Sequence, residues 1–228
     1  KGANVSEMMR LGVPVPDAFT VSTGASVAAM EAGGQWPDGL WDQTVEALNR
    51  MQERTGKTLG SASNPLLVSV RSGAVVSMPG MMDTILNLGI SAQTVEALGR
   101  ESDNPRFAWD SYRRFIQMYG EVVEDVPAYA YGDVLETMKR DRGVEQDTDL
   151  TTEDLTELVE KFLAVSREHM GAEFPTDPLD QLRRAVDAVF RSWQTKRAGV
   201  YRRAHGIPDS LGTAVNVMQM VFGNRGQT

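Results

Sequence analysis

The chain contains no cysteine. That excludes a disulfide framework, a thiolate nucleophile and a thiolate-ligated zinc site, and it fits a reducing compartment. Histidine is almost as scarce, since His169 and His205 are the two present. They lie far apart in sequence and lack companions, a poor basis for a metal centre. No apolar run approaches the roughly 20 residues needed to cross a bilayer, and the start of the chain lacks the basic, apolar and small-residue succession of a secretory signal. A cytoplasmic protein is the expectation. Positive charge is also in deficit: 23 Lys and Arg against 31 Asp and Glu leave a net charge of −8. Generic nucleic-acid affinity needs a surplus of cations, so no nucleic-acid partner is expected, and no membrane partner either.

What is present suffices for a real core: 228 residues, 41% of them hydrophobic, make one large domain or two small ones. The chain starts at Lys1 rather than methionine and stops at Gly-Gln-Thr just after a strand-like run, which reads as a piece of a longer polypeptide. Asn4 reads as the N-cap of a short helix carrying Val5, Met8 and Met9, with Gly12 ending it. Pro14 and Pro16 then enforce an extended passage into a strand over Phe19–Ser22. After a loop marked by Gly33, Gly34, Pro37 and Gly39, the residues Trp41, Val45, Leu48 and Met51 recur at helical spacing until Gly56.

From about Ser91 to Gly206 the periodicity is nearly all helical. Phe107, Trp109, Tyr112, Ile116 and Tyr119 form one aromatic stripe, read as core. Asp133 is read as opening a helix over Val134, Leu135 and Met138. Thr151 with Asp154 is a capping-box pattern, and Asp177-Pro178 is an N-cap followed by proline at the first helical position. Strand character returns over Thr213–Phe222, and Gly223, Asn224, Arg225 and Gly226 read as a turn.

The segment Leu66–Gly89 carries the chemistry. Leu66, Leu67, Val68 and Val70 have the length and branching of a buried strand, and Gly73, Pro79 and Gly80 break any helix after it. Arg71 therefore sits at a strand end facing a loop of small residues, glycine and methionine. Its planar fork of donors matches phosphate or carboxylate oxygens, and small neighbours let backbone N–H groups approach the same anion. The competing reading is a surface ion-pair partner beside an ordinary turn, because the loop lacks the fixed spacing of a Walker motif.

The run Val-Ser-Val-Arg-Ser-Gly-Ala, followed by Ser-Met-Pro-Gly-Met-Met-Asp-Thr and Leu-Asn-Leu-Gly, closely resembles the nucleotide-binding domain of the pyruvate, phosphate dikinase family. The resemblance extends to the opening Lys-Gly-Ala-Asn, to Leu-Gly-Val-Pro-Val-Pro and Phe-Thr-Val-Ser-Thr over 11–23, and to Phe107–Gly120. It continues through Val189–Tyr201 and through Ala-Val-Asn-Val with Met-Val-Phe-Gly-Asn over 213–224. It implies an α+β fold, an ATP-grasp-type domain with an inserted helical subdomain. Its divisions are an α/β part over 1–90, a helical insert over 91–206, and a strand and hinge over 207–228 that return to the ATP-grasp core.

The same resemblance implies that ATP phosphorylates a histidine on a separate carrier domain, with inorganic phosphate taking the γ group. The parent enzyme would convert pyruvate to phosphoenolpyruvate with release of AMP and pyrophosphate. Arg71 corresponds to the catalytic phosphate-binding arginine and Lys1 to the lysine of the opening motif. Ser77, Gly80, Asp83 and Thr84 are expected to form a mobile lid closing on the β and γ phosphates. Met78, Met81 and Met82 either shield that lid from water or pack as core. Gln219, Met220 and Val221 are expected to read the adenine through their backbone. Here the chain departs from the family pattern, in which glutamine directly follows Val-Asn-Val; Met218 takes that place and Gln219 follows.

Mg2+ is implied as a cofactor, its carboxylate ligands expected beyond Thr228, and no metal ligand is nominated within the chain. Neither Glu-His169-Met nor Ala-His205-Gly resembles the family's carrier-histidine motif. Arg197, Arg202 and Arg203 are read as ion-paired on a helix rather than as anion ligands. A homodimer is compatible with the resemblance. Alternatives are a phosphoenolpyruvate synthase-like or antibiotic-modifying phosphotransferase, and a noncatalytic nucleotide-binding module.

Overall fold

The computed structural model describes residues 1–223; Asn224, Arg225 and Gly226 of the expected final turn lie outside that range. The protein is α+β. Its main sheet has four strands, β1 (Ala18–Val21), β4 (Val68–Ser72), β5 (Thr84–Leu88) and β6 (Val215–Gln219), in the order β1-β6-β4-β5 with every pairing antiparallel. A two-stranded parallel pair, β2 (Thr58–Leu59) and β3 (Pro65–Leu66), leads into β4. Before the sheet run α1 (Gly2–Arg10), α2 (Thr23–Glu31) and α3 (Leu40–Thr55). Between β5 and β6 come α4 (Val95–Ser102), α5 (Pro105–Val122), α6 (Ala128–Arg142), α7 (Thr152–Met170), α8 (Pro178–Ser192) and α9 (Lys196–Ala204).

Alternation along the strands separates the two faces of the sheet. Val68, Val70, Ile85, Val215 and Val217 are fully buried and form one core with Phe115, Leu182, Val186 and Val189. α5 and α8 therefore pack directly on the sheet rather than enclosing a core of their own. Each such side chain, fully buried, stabilises the fold by about 1.5–3 kcal/mol. The aromatic stripe of α5 is core as read: Tyr112, Ile116 and Tyr119 are buried, with Phe107 and Trp109 packed at its margin.

Several helix ends follow from the local chemistry. The Thr151 side chain accepts from the N–H of Asp154 while Asp154 accepts from the N–H of Thr151, a reciprocal capping box at the start of α7. Asp177 accepts from the N–H of Leu179 ahead of Pro178 at α8. Gly56, at φ 65°, closes α3 in the left-handed region, where a side chain would be strained.

Other boundaries differ from the sequence reading. α1 starts at Gly2 with Lys1 as its cap, since the N–H of Val5 already bonds the carbonyl of Lys1, so Asn4 lies inside the helix. α6 starts at Ala128 after Pro127, and Asp133 is interior, because the buried Tyr131 draws the preceding turn onto the core. Ser22 is not the end of β1 but the cap of α2, a helix the periodicity does not announce. β6 ends at Gln219, short of the expected Phe222.

Candidate functional site

On the face of the sheet opposite α5 and α8, one row of residues crosses all four strands. Thr20 on β1 stands opposite Asn216 on β6, Asn216 opposite Arg71 on β4, and Arg71 opposite Thr84 on β5. Directly paired residues of antiparallel strands project from the same face, so four polar side chains share this row. Thr20 Oγ1 donates to Asn216 Oδ1 at 3.0 Å. Among the described residues the Arg71 guanidinium has no hydrogen bond and no ion pair, and its Nε is buried without an acceptor. Buried donors are normally matched, so an unmatched one calls for a partner.

The start of α1 lies against the same row. A Cβ on Gly2 would stand 2.4 Å from Thr20 Oγ1 and 2.8 Å from Asn216 Oδ1, so only glycine fits. This contact places Lys1 beside the end of β4, where its Nζ donates to the carbonyl oxygen of Ser72 at 2.8 Å. Burial, and after it the neighbouring Arg71 charge, hold the Lys1 ammonium below its ordinary value of 10.5. Lys1 has no carboxylate partner among the described residues. Two adjacent cations with no counter-ion make a site that an anion would stabilise through both charges.

The loop between β4 and β5 walls a cleft on the Lys1 side of this corner, which Arg71 does not line. Lys1, Ser72, Ser77, Gly80, Met82 and Thr84 line a cleft of about 570 Å³. Gly80, at φ 70°, makes the turn, and Ser77 is exposed at its rim. The far side of the loop is fastened down. Met78 is buried with Trp193, Ala198 and Ile207, and Met81 and Met82 pack at the edge of that cluster. Asp83 bonds Arg197 at 2.9 Å. The carboxylate of Asp83 is thus engaged with α9, and of the four expected lid residues Ser77, Gly80 and Thr84 line the cleft and Asp83 does not.

The first hinge candidate, Gln219, stands three positions along β6 from Asn216 in the Arg71 row, about 10 Å at the rise of a strand, and Met220 and Val221 follow beyond the strand end. Gln219, Met220 and Val221 line a second cleft, of about 210 Å³, together with Leu67 and Phe222. The N–H of Gln219 donates to Asp17 and that of Met220 to Leu67. Two of the three amides expected to read an adenine are thus already engaged within the fold. Met218, the residue at the departure from the family pattern, shares the polar face with Ser69 and Arg71, whereas Gln219 projects to the other side.

Of the three arginines read as ion-paired on α9, Arg197 and Arg202 are paired, whereas Arg203 is exposed with no ion pair among the described residues. Arg202 meets Asp209 and the carbonyl of Trp193 and lies over the Trp193 ring, and Arg197 is held by Asp83. His169 and His205 each bond the carbonyl four residues back through Nδ1. A cleft of about 700 Å³ along α9 is larger than the one beside Lys1, but apolar surface dominates it. Among the described residues, no three of His, Asp and Glu come together to hold a metal ion. Sequence reasoning passed over Asn216 and Thr20; the polar residue within Ala-Val-Asn-Val was the available signal, since alternation sets it on the face away from the core.

Residues 32–226 match the family model described as "Pyruvate phosphate dikinase, AMP/ATP-binding domain". The whole chain aligns with "Pyruvate, phosphate dikinase" of Clostridium symbiosum at 55% identity, covering 26% of that protein. It aligns equally completely with the Rhizobium meliloti enzyme at 50% identity, covering 25%, and with the chloroplastic enzyme of Flaveria trinervia at 50%, covering 24%. The chain thus spans about a quarter of the length of the curated relatives it matches. No described helix is long and apolar enough to cross a membrane. The family model covers most of the chain, the relatives align over all of it and the architecture is mixed α+β, so the chain belongs to the pyruvate phosphate dikinase AMP/ATP-binding domain family.

Proposed function

We propose that the corner formed by Lys1, Arg71, Ser77, Gly80 and Thr84 binds the phosphates of ATP in an ATP-grasp-type site, with the adenine at the Gln219–Val221 hinge. The observation that carries this reading is the pair of uncompensated cations at the end of β4, one of them with a buried donor lacking an acceptor. Phosphoryl transfer asks little covalent work of a protein; it asks for positive charge and donors on the oxygens where charge gathers. Arg71 supplies a fork of donors, Lys1 a point charge, and the loop backbone further N–H groups. The spacing of about 10 Å along β6 between the Arg71 row and the hinge suits a nucleotide laid along the strand.

In the full-length protein this domain would pass a phosphoryl group from ATP to a histidine on a carrier domain, with inorganic phosphate taking the γ group. Phosphoenolpyruvate would then form from pyruvate, with AMP and pyrophosphate released. The described residues do not fit a resident metal, since Asp83 is engaged by Arg197. The Mg2+ that the family resemblance implies would take carboxylates expected beyond Thr228, and no step here is routed through it. The divisions 1–90, 91–206 and 207–228 are kept as functional units, the middle one supplying the helices that fasten the loop.

The test is ATP-dependent histidine phosphorylation in the full-length protein. Arg71→Ala is expected to lower it on the order of 100-fold or more, as loss of one preorganised electrostatic donor does. Wild-type turnover in that variant refutes the reading. AMP formation that requires added inorganic phosphate separates a dikinase from a synthase-like relative that uses water.

A further inference from the structure

Asn216 is the one buried polar side chain of the row, hydrogen-bonds to neither candidate cation, and lies against the glycine that follows Lys1 and the glycine two residues after Arg71. It is 3% exposed, and its two ends are in different situations. Oδ1 accepts from Thr20 Oγ1, while Nδ2 is buried without an acceptor. Two glycines press on it. Gly2 lies against the Oδ1 end, and Gly73 lies so close to the other end that a Cβ there would stand 2.3 Å from Nδ2. Gly2 follows Lys1 in the chain, and Gly73 is the root of the loop that walls the cleft. Arg71 is the direct cross-strand neighbour of Asn216.

A valine or leucine in this place would satisfy an apolar strand between Val215 and Val217, so packing alone gives no reason to bury an amide with one end unmatched. We propose that Asn216 is a positioning residue for the phosphate corner: it holds the backbones of Gly2 and Gly73 against its two ends and so fixes the Lys1 ammonium and the loop root relative to Arg71. The inference rests on the phosphate reading of that corner. Removing the side chain loosens both contacts at once and leaves Arg71 in place. The effect therefore falls on ligands that reach the Lys1–Arg71 corner and spares those that reach only the hinge.

The experiment measures ATP and AMP affinity by calorimetry in the full-length protein, for wild type, Arg71→Ala, Asn216→Ala, Asn216→Asp and Thr20→Val. Asn216→Ala is expected to weaken ATP about tenfold, the size of one lost charge-assisted hydrogen bond, while AMP changes less than about twofold. Asn216→Asp sets a carboxylate opposite Arg71, supplies the ion pair it lacks, and weakens ATP further at an unreduced melting temperature. Thr20→Val keeps the shape, frees the amide to turn, and shows the same ATP-selective loss in smaller measure. A merely structural Asn216 would lower ATP and AMP affinity together with the melting temperature, and that result overturns the proposal. So does an unchanged ATP affinity in Asn216→Ala or, should that variant not fold, in Thr20→Val. Failure of the underlying phosphate reading is recognised separately, by wild-type protein that does not bind ATP or by Arg71→Ala that binds it normally.

Discussion

Arginines of the helical region and those at the sheet corner are handled in opposite ways. Arg113 is 3% exposed on α5 and meets both Asp110 and Asp147. Arg106 gives N–H groups to the carbonyls of Leu150 and Asp147, and Arg202 meets Asp209. Arg113 also leaves its Nε without an acceptor, but its charge is answered twice. Desolvating a cation is costly, and a counter-ion offsets it. Arg71 is half-buried with no such answer, and Lys1 is set beside it. One residue type fastens helices in the first region and keeps its donors uncommitted in the second, and the second arrangement is what an anion-binding site requires.

The sharpest way to break this contrast is to neutralise one arginine of each kind. Arg113→Met should cost about 3 kcal/mol of stability, since it removes two charge-assisted contacts of a buried guanidinium while Arg114 still faces Asp110 and Lys139 still faces Asp147, with ATP affinity unchanged; urea unfolding reads it, and a negligible loss would erase the distinction. Arg71→Met should do the reverse, weakening ATP by about 2–4 kcal/mol while the melting temperature holds or rises. Equal loss of stability in the two variants would mean that Arg71 is structural after all.

Smaller effects test the same division. Thr151→Ala removes the capping box of α7 and should cost about 1 kcal/mol in urea with no change in ATP binding. Asp83→Asn breaks the Arg197 pair, an interaction exposed enough to contribute under about 1 kcal/mol to stability. Because that pair also fastens the loop, the KM for ATP should move more than the melting temperature does, which steady-state kinetics would register.

The smallest effect is the titration of Lys1. Its folded value lies below the ordinary 10.5, so between the two the unfolded chain binds more protons and stability rises with pH. A difference curve of wild type minus Lys1→Met isolates that slope, and saturating ATP should move the Lys1 value upward by supplying the missing negative charge. A slope of opposite sign would contradict the depression of Lys1 by burial and by Arg71.

Much of this architecture is legible in the chain because its signals are local. The Thr151–Asp154 box, the Asp177-Pro178 start and the strand that carries Arg71 each depend on residues a few positions apart. α2 escapes because its small and apolar residues surround the helix without forming a stripe, and α6 is legible as a helix but not in its start, which is set by burial of Tyr131 rather than by a cap. The row Thr20–Asn216–Arg71–Thr84 depends on cross-strand register across most of the chain. Arg71 could be singled out from its neighbours in sequence, but Asn216 could not, because its role lies in the glycine backbones that meet it from two distant segments.

The seating of Met78 has an optical consequence. Trp193 is 2% exposed, its indole N–H donates to the Asp209 carbonyl, and among the described residues it is the tryptophan packed in the cluster that holds Met78. Any displacement of the flap that unseats this thioether changes the polarity around the indole. If nucleotide closes the loop as proposed, the emission of Trp193 should change with it, and stopped-flow fluorescence would time that motion without a label.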